Sequence, residues 1–243
     1  MPHFLIKSDD VKNNNITVSD KDLYKHIIKV MRTKCGEKLL FLDENEIQYE
    51  TKLSVIDSNS FSCVIEEQYK SERKLGLDLY IAQSVLNSDA QTSAIQKATE
   101  LGVKGIIPLY TDNCAVKENV IKNKIEKWQK IAFESVKQCE RADIPFVYDM
   151  AKIDDIVQNY DQVIVFAERD AESDFFTYVR KNKIDKTKSI LVIIGPEGGF
   201  SQREFDYFKE NNIPLITLGN LIYRADTALT AALTTVINGV FYA

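Results

Sequence analysis

Cysteine and histidine are scarce in this chain. Its 243 residues hold four cysteines, Cys35, Cys63, Cys114 and Cys139, and two histidines, His3 and His26. The cysteines are scattered with no C-x-x-C pair, and two histidines cannot complete a zinc site of the usual spacing, so no metal is expected. The cysteines read as small core or surface residues in a reducing compartment. Long apolar runs are also lacking. A stretch such as Ser189–Ile194 is far too short to span a bilayer, and no membrane association is expected. The opening residues Met1–Lys7 lack the apolar stretch and small-residue cleavage site of a signal peptide, so the expected compartment is the cytoplasm. Nor is there a surplus of positive charge. Thirty-one Lys and Arg face 36 Asp and Glu, for a net charge of −5 and a pI near 5.3. A field of that sign excludes a protein that coats nucleic acid indiscriminately but leaves room for a local basic patch.

What remains is ordinary globular composition, 44% hydrophobic and 28% charged, which excludes a collagen, a disordered tail and a coiled-coil rod. Residues 1–70 read as a small β-rich domain. Lys38–Leu42, Glu46–Ile56 and Phe61–Ile65 have strand character, with Asx-rich turns between them. One helix, Asp20 to about Thr33 with Ser19 as cap, interrupts the set. Leu23, Ile27 and Val30 share a face of it, widened by Tyr24, Ile28 and Met31. The same helix carries Lys21, Lys25, Lys29 and Arg32 at spacings of four, four and three, a basic stripe along one side. Such a stripe is either a solvated face or a track for a phosphate backbone. Only Asp22 and Glu37 oppose six basic side chains between Lys21 and Lys38.

Residues 68–76 are polar and read as a linker. From 71 to 243 short apolar runs alternate with amphipathic helices. Strands are expected at Leu77–Ala82, Gly105–Leu109, Phe146–Tyr148, Gln162–Ala167, Ser189–Ile194 and Leu215–Leu218. Helices are expected at Ala90–Leu101, Ile121–Arg141, Ile153–Asn159, Ser173–Asn182, Gln202–Asn211 and Ala225–Phe241. This alternation predicts an α/β domain with a mostly parallel sheet covered on both faces. The terminal helix is apolar over much of its circumference and must be buried.

Two loops stand out. The first, Gly195-Pro196-Glu197-Gly198-Gly199, follows a β-branched strand and precedes a helix whose start is marked by a capping box, Ser201 and Glu204. Three of the chain's nine glycines lie in it. Glycine permits strained backbone and close approach of a ligand to main-chain groups, and in an open α/β sheet ligands sit at such strand ends. It is neither a dinucleotide fingerprint nor a P-loop. Glu197 would repel a phosphate, so a ligand with a positive or neutral head fits better. The second, Leu218-Gly219-Asn220-Leu221-Ile222-Tyr223-Arg224, again joins a strand to a helix. Asp226 and Thr227 lie at that helix's N-terminus, where an acid and a hydroxyl are favourable. Arg224 pairs with Asp226, closes a surface, or is positioned for chemistry.

Together these segments resemble the RsmE family of SPOUT methyltransferases. The family's G-P-E-G-G loop is matched by Gly195–Gly199. Its later leucine-glycine, leucine-arginine and threonine-alanine segment is matched around Leu218–Ala228. Gln96–Val103 resembles its central helix, and Trp128–Ala132 with Gln138, Arg141 and Ile144-Pro145 resembles the next. His26, Val30 and Arg32 sit where the family reads histidine, valine, leucine and arginine. The resemblance covers nearly the whole chain. Departures are His3 and Leu221 for usual arginines, Asp226 for a usual glutamate, and Asn87–Gln91, which lacks a common lysine-glycine pair.

The resemblance implies a PUA-like RNA-binding barrel over 1–70 and a SPOUT domain with a C-terminal trefoil knot over 71–243. It implies S-adenosylmethionine as methyl donor, and as activity the methylation of uridine N3 in the decoding region of 16S rRNA, by a homodimer. Donor contacts are expected from Gly195, Pro196, Glu197, Gly198, Gly199, Leu218, Gly219, Ile222, Tyr223, Thr227 and Ala228. Arg224 is the expected catalytic group, with Asp226 and Glu197 as candidate bases. RNA contacts are expected from Lys21, Lys25, Lys29, Arg32 and Arg141. Rival readings are a SPOUT enzyme acting elsewhere on RNA, for example at a ribose 2′-hydroxyl, and a non-catalytic ribosome-assembly protein.

Overall fold

The computed structural model describes residues 3–168 and 171–242; Met1 and Pro2, which open the stretch read above for a signal peptide, lie outside them. The chain divides into two compact units. One comprises residues 1–74 together with 136–143, the other 75–135 and 144–243.

The first unit is a six-stranded sheet. Its strands are β1 (His3–Leu5), β2 (Val11–Lys12), β3 (Asn15–Val18), β4 (Lys38–Leu42), β5 (Ile47–Ile56) and β6 (Phe61–Lys70), in the order β1-β4-β5-β6-β3-β2. Pairing is antiparallel except between β1 and β4. Alternate residues point inward, as a two-residue period requires. Ile16, Val18, Phe41, Leu53, Phe61 and Cys63 form the centre of one core, each at most 1% exposed. Desolvation in that core pushes the Cys63 thiol up to about 11, which makes it a packing residue rather than a nucleophile. The three N-terminal strands were not legible as such. β1 and β2 are too short to show alternation. The β2–β3 turn carries its own signal, since Asn13 and Asn14 take φ of +49° and +64°, the left-handed pair that suits a tight hairpin.

The helix expected over Asp20–Thr33 is shorter and less regular. Asp20, not Ser19, caps it, accepting from the Leu23 amide at 2.8 Å. Helix α1 covers Lys21–Tyr24, and Lys25–Val30 then continues as π-helix. The wider π turn rotates later side chains off the expected stripe. Ile27 and Tyr24 are buried, but Val30 and Met31 are 62% and 43% exposed. The polar linker expected at 68–76 is partly strand, because Gln68–Lys70 complete β6.

The second unit is a seven-stranded sheet, every recorded pair parallel. In chain order it runs β7 (Leu79–Ser84), α2 (Ser88–Glu100), β8 (Gly105–Leu109), α3 (Glu118–Lys122), α4 (Ile125–Cys139), β9 (Phe146–Val147), α5 (Ile153–Ile156), β10 (Gln162–Phe166), β11 (Ser173–Asp174), α6 (Phe175–Lys181), β12 (Ile190–Ile194), α7 (Gln202–Glu210), β13 (Leu215–Thr217) and α8 (Ala225–Tyr242). The strand order is β11-β13-β10-β12-β7-β8-β9. Covering both faces explains the continuous apolar strands. In β12, Ile190, Val192 and Ile194 belong to one hydrophobic layer and Leu191 and Ile193 to the other. Each such side chain contributes about 1.5–3 kcal/mol when fully buried. The single helix expected over Ile121–Arg141 is two, separated at Asn123 and Lys124. Asparagine competes with the helix for its own backbone groups. In α8, Leu229, Ala232, Leu233 and Val236 are buried at i, i+3, i+4, i+7 spacing, and the helix packs against α2 and α6. No helix among the described residues is long and apolar enough to cross a membrane.

Candidate active site

Parallel strands send their carboxyl ends the same way, and crevices open there. β10 lies hydrogen-bonded between β12 and β13. The segments leaving these three strands line one cleft of about 580 Å³. The whole first loop, Gly195–Gly199, lines it, and so do Leu218, Gly219, Ile222, Tyr223, Arg224 and Ala228 from the second. The two loops expected to share a ligand are thus brought together. Thr227, expected among the lining residues, is not one of them. One helical residue is 100°, so Ala225 and Ala228 can line the cleft while Thr227, exposed, turns away.

The first loop is closed and backed. The Gly199 amide donates to the Pro196 carbonyl at 2.9 Å, and Gly199 takes φ of +72°, where a side chain would be strained. Gly195 is crowded by the Phe200 ring, which an added Cβ would meet at 3.0 Å. Side-chain amides of Gln83 and Asn113 donate to the carbonyls of Gly195 and Gly199 at 3.2 and 3.0 Å. Ser201 then caps α7 in the expected capping box. Its hydroxyl accepts from the Glu204 amide at 3.2 Å, and its own amide donates to Glu204 Oε2 at 2.8 Å. Glu204, 1% exposed, spends its other oxygen on the Asp112 amide at 3.0 Å. The Asp112 carboxylate accepts from the Ser201 hydroxyl at 2.6 Å and from Arg203 Nε and Nη2 at 3.0 and 3.1 Å. The Arg203 guanidinium, then Ser201, holds the Asp112 carboxyl below its usual range.

The second loop is open. Gly219 takes φ of +116°, and an added Cβ would meet nothing within 4 Å. Thr217 Oγ1 pins that glycine, accepting from its amide at 3.0 Å and donating to its carbonyl at 3.1 Å. Beyond it, the main-chain groups of Leu221, Ile222 and Tyr223 find no partner among the described residues. Leu221 and Ile222 are 70% and 78% exposed. Arg224 is exposed, and its guanidinium has no ion pair or hydrogen bond among the described residues. It does not pair with Asp226, whose carboxylate is held instead by Lys97 Nζ at 3.3 Å. Asp226 does not line the cleft; Glu197 does. Among the lining residues that escaped the sequence reading are Phe166, Ala167 and Glu168. The available signal was their place at the end of a parallel strand, but only the strand order shows that β10 lies between the other two.

The basic residues expected to contact RNA lie in the first unit, where Lys21, Lys25, Lys29 and Arg32 are all exposed. Lys29 Nζ stands 5.6 Å from the centroid of the Tyr24 ring. Arg32 lies beyond the helical stretch with φ of +58°, so the four do not form one regular helical stripe. Arg141 corrects the expectation more sharply. It is 5% exposed, and Asp143 accepts from its Nε and Nη2 at 3.0 and 2.7 Å. A buried arginine forked onto a carboxylate is a structural pair, not an open phosphate grip. His3, at a position of usual arginine, is 3% exposed, and its burial lowers its pKa. Among the described residues no cluster of His, Cys, Asp and Glu could hold a metal ion.

A parallel sheet with a cleft at its central strand ends, walled by two glycine turns and accompanied by a β unit that carries a local cluster of exposed basic side chains, is the architecture of a two-domain RNA methyltransferase. Residues 73–237 match the RNA methyltransferase domain and residues 19–66 the RNA methyltransferase PUA domain. The chain is 30% identical over 220 residues to ribosomal RNA small subunit methyltransferase E of Bacillus subtilis, covering 87% of this chain and 85% of that one. It is 27% identical to the protein of the same name from Aquifex aeolicus, covering 93% and 96%. The solved ribosomal RNA small subunit methyltransferase E of Neisseria gonorrhoeae, bound to S-adenosyl methionine, has the same fold, with a TM-score of 0.83 at 21% identity over 96% of this chain and 95% of that one. The chain belongs to the ribosomal RNA small subunit methyltransferase E family.

Proposed function

We propose that this chain methylates N3 of a uridine in the decoding region of 16S rRNA, with S-adenosylmethionine as donor and the small ribosomal subunit, in the cytoplasm, as its context. The observation that carries this reading is the cleft itself, built from two glycine turns with an unpaired guanidinium among its lining residues. The residues present fit the donor. Gly199 and Gly219 take positive φ beside open space, the second loop offers unpartnered main-chain groups, and Glu197 and Glu168 suit a ligand bearing sulfonium and ammonium charge. The donor supplies an electrophilic methyl group for in-line displacement. The protein holds the reacting groups together, and such proximity accounts for much of the acceleration of a two-substrate transfer. N3 of uracil must lose a proton, and the negative charge spreads onto the flanking carbonyl oxygens. Arg224 stabilises that charge, being always ionised and presenting several donors. Asp226 is occupied by Lys97, so the proton acceptor is Glu197, Glu168 or solvent.

Lys21, Lys25, Lys29 and Arg32 hold RNA phosphates in this reading, without Arg141. The knotted threading of the family is part of this reading, with β12 placed between β7 and β10 and β13 between β10 and β11. Exposed Leu221, Ile222, Phe241 and Tyr242 support a homodimer. The test is to map methylated nucleotides in rRNA from a strain lacking this protein and to titrate the purified chain with the donor. A missing N3-methyluridine and saturable binding are expected. A lost ribose methyl group would overturn the base assignment, and no donor binding would favour the non-catalytic assembly role.

A further inference from the structure

Gln83 lies in β7, one residue from its end, and is 1% exposed. Its carboxamide nitrogen donates to the carbonyls of Gly195 and Ser84 at 3.2 and 3.0 Å. Both partners are acceptors, so exchanging nitrogen and oxygen would set three acceptors together; the orientation is chemically fixed. That orientation leaves Oε1 buried with no partner. A bare buried acceptor loses its water and gains nothing, and a methionine of similar volume would avoid the loss. The amide is therefore kept for its donor, and the donor holds the first residue of the glycine loop. The last residue of the same loop is held in the same way, by Asn113 Nδ2 on the Gly199 carbonyl at 3.0 Å. Asn113 is exposed, and a Cβ on Gly198 would lie 3.4 Å from its own Cβ. Between the two grips, the amides of Glu197 and Gly198 have no partner among the described residues.

We propose that Gln83 and Asn113 are positioning residues for this turn. Two carboxamides, from β7 and from the segment after β8, fix the carbonyls at its ends so that its free amides are set for the donor before it arrives. This rests on the methyltransferase reading above.

The test uses the full chain with Gln83→Met, Asn113→Ala and the double variant, titrated calorimetrically with S-adenosylmethionine. Amide hydrogen exchange over 195–200 is followed in the ligand-free protein. Each single change is expected to raise Kd about fivefold and the pair roughly twentyfold, the scale of lost neutral hydrogen bonds. Exchange at the Gly199 amide, which is bonded to the Pro196 carbonyl, should quicken while the KM for RNA stays unchanged, a split that general loosening would not give. Asn113→Asp keeps the shape without the donor and should behave like Asn113→Ala. Asn113 is exposed, so its variants answer the question even if Gln83→Met folds poorly. Unchanged Kd and exchange in the Asn113 variants, with wild type binding normally, overturns the proposal. A wild type that does not bind the donor defeats the methyltransferase reading instead, and exchange still decides whether the two amides hold the turn.

Discussion

The two walls of the cleft are built on opposite plans. The Gly195–Gly199 wall is gripped at both ends by side-chain amides and backed by the Asp112, Ser201, Arg203 and Glu204 network. The Gly219–Arg224 wall is pinned once, at Gly219 by Thr217, and then runs on with exposed apolar side chains and unpartnered main chain. Both turns need glycine, but for different reasons. At Gly195 a neighbouring ring crowds any side chain, whereas at Gly219 space is open and only the backbone angle disfavours one. A braced wall presents its groups without further ordering cost, while an open wall must be ordered by whatever binds, which lowers affinity but allows access. Arg224 stands on the open wall.

The largest expected effect comes from that wall. Arg224→Ala should lower single-turnover methylation by roughly 10²–10³-fold, the range for removing a preorganised charge-stabilising donor, with calorimetric donor affinity nearly unchanged. Abolished donor binding would make Arg224 part of the ligand cradle. Next, Gly219→Val and Gly195→Ala should separate the walls. Gly219→Val forces a branched side chain to positive φ, at about 1–3 kcal/mol. Because that turn is barely anchored, the loss should appear as about tenfold weaker donor binding with little change in Tm. Gly195→Ala, pressed against Phe200, should instead lower Tm. The reverse pattern would break the comparison. A control in the other unit is Lys29→Ala with Arg32→Ala. RNA affinity should fall and its salt slope flatten by about 1.5, while donor binding stays constant; an unaltered slope would remove these residues from the RNA surface.

The smallest effect is acid sensitivity of the braced wall. The Asp112 carboxyl is held below its ordinary 3.8 in the folded protein. Its contribution is therefore complete above that value and is lost as pH falls through the lower, folded one. Exchange at 195–201 should quicken in that acid window, modestly because the pair is solvent-screened, and Asp112→Asn should remove the dependence.

The alternation of apolar runs with amphipathic helices gave away the parallel sheet, because strands buried on both faces must be apolar throughout. The two glycine loops were equally legible, since a glycine cluster at a strand end has a local cause. Less legible were features whose cause lies elsewhere in the chain. β1 is a strand because β4 offers it an edge, and Val30 is exposed because a π turn rotates it away. Arg141 looked like a free cation in sequence, where nothing distinguishes a buried fork onto Asp143 from a solvated charge.

By itself, then, the order of amino acids determined most of the strands and helices of the second unit, where backbone freedom is needed, and which guanidinium is worth watching. Tertiary structure alone decided that β10 lies between β12 and β13, that Lys97 rather than Arg224 takes Asp226, and that Gln83 and Asn113 reach the same turn. Periodicity and turn chemistry act over a few residues, whereas a side chain's partner is set by whichever distant strand end folding delivers beside it.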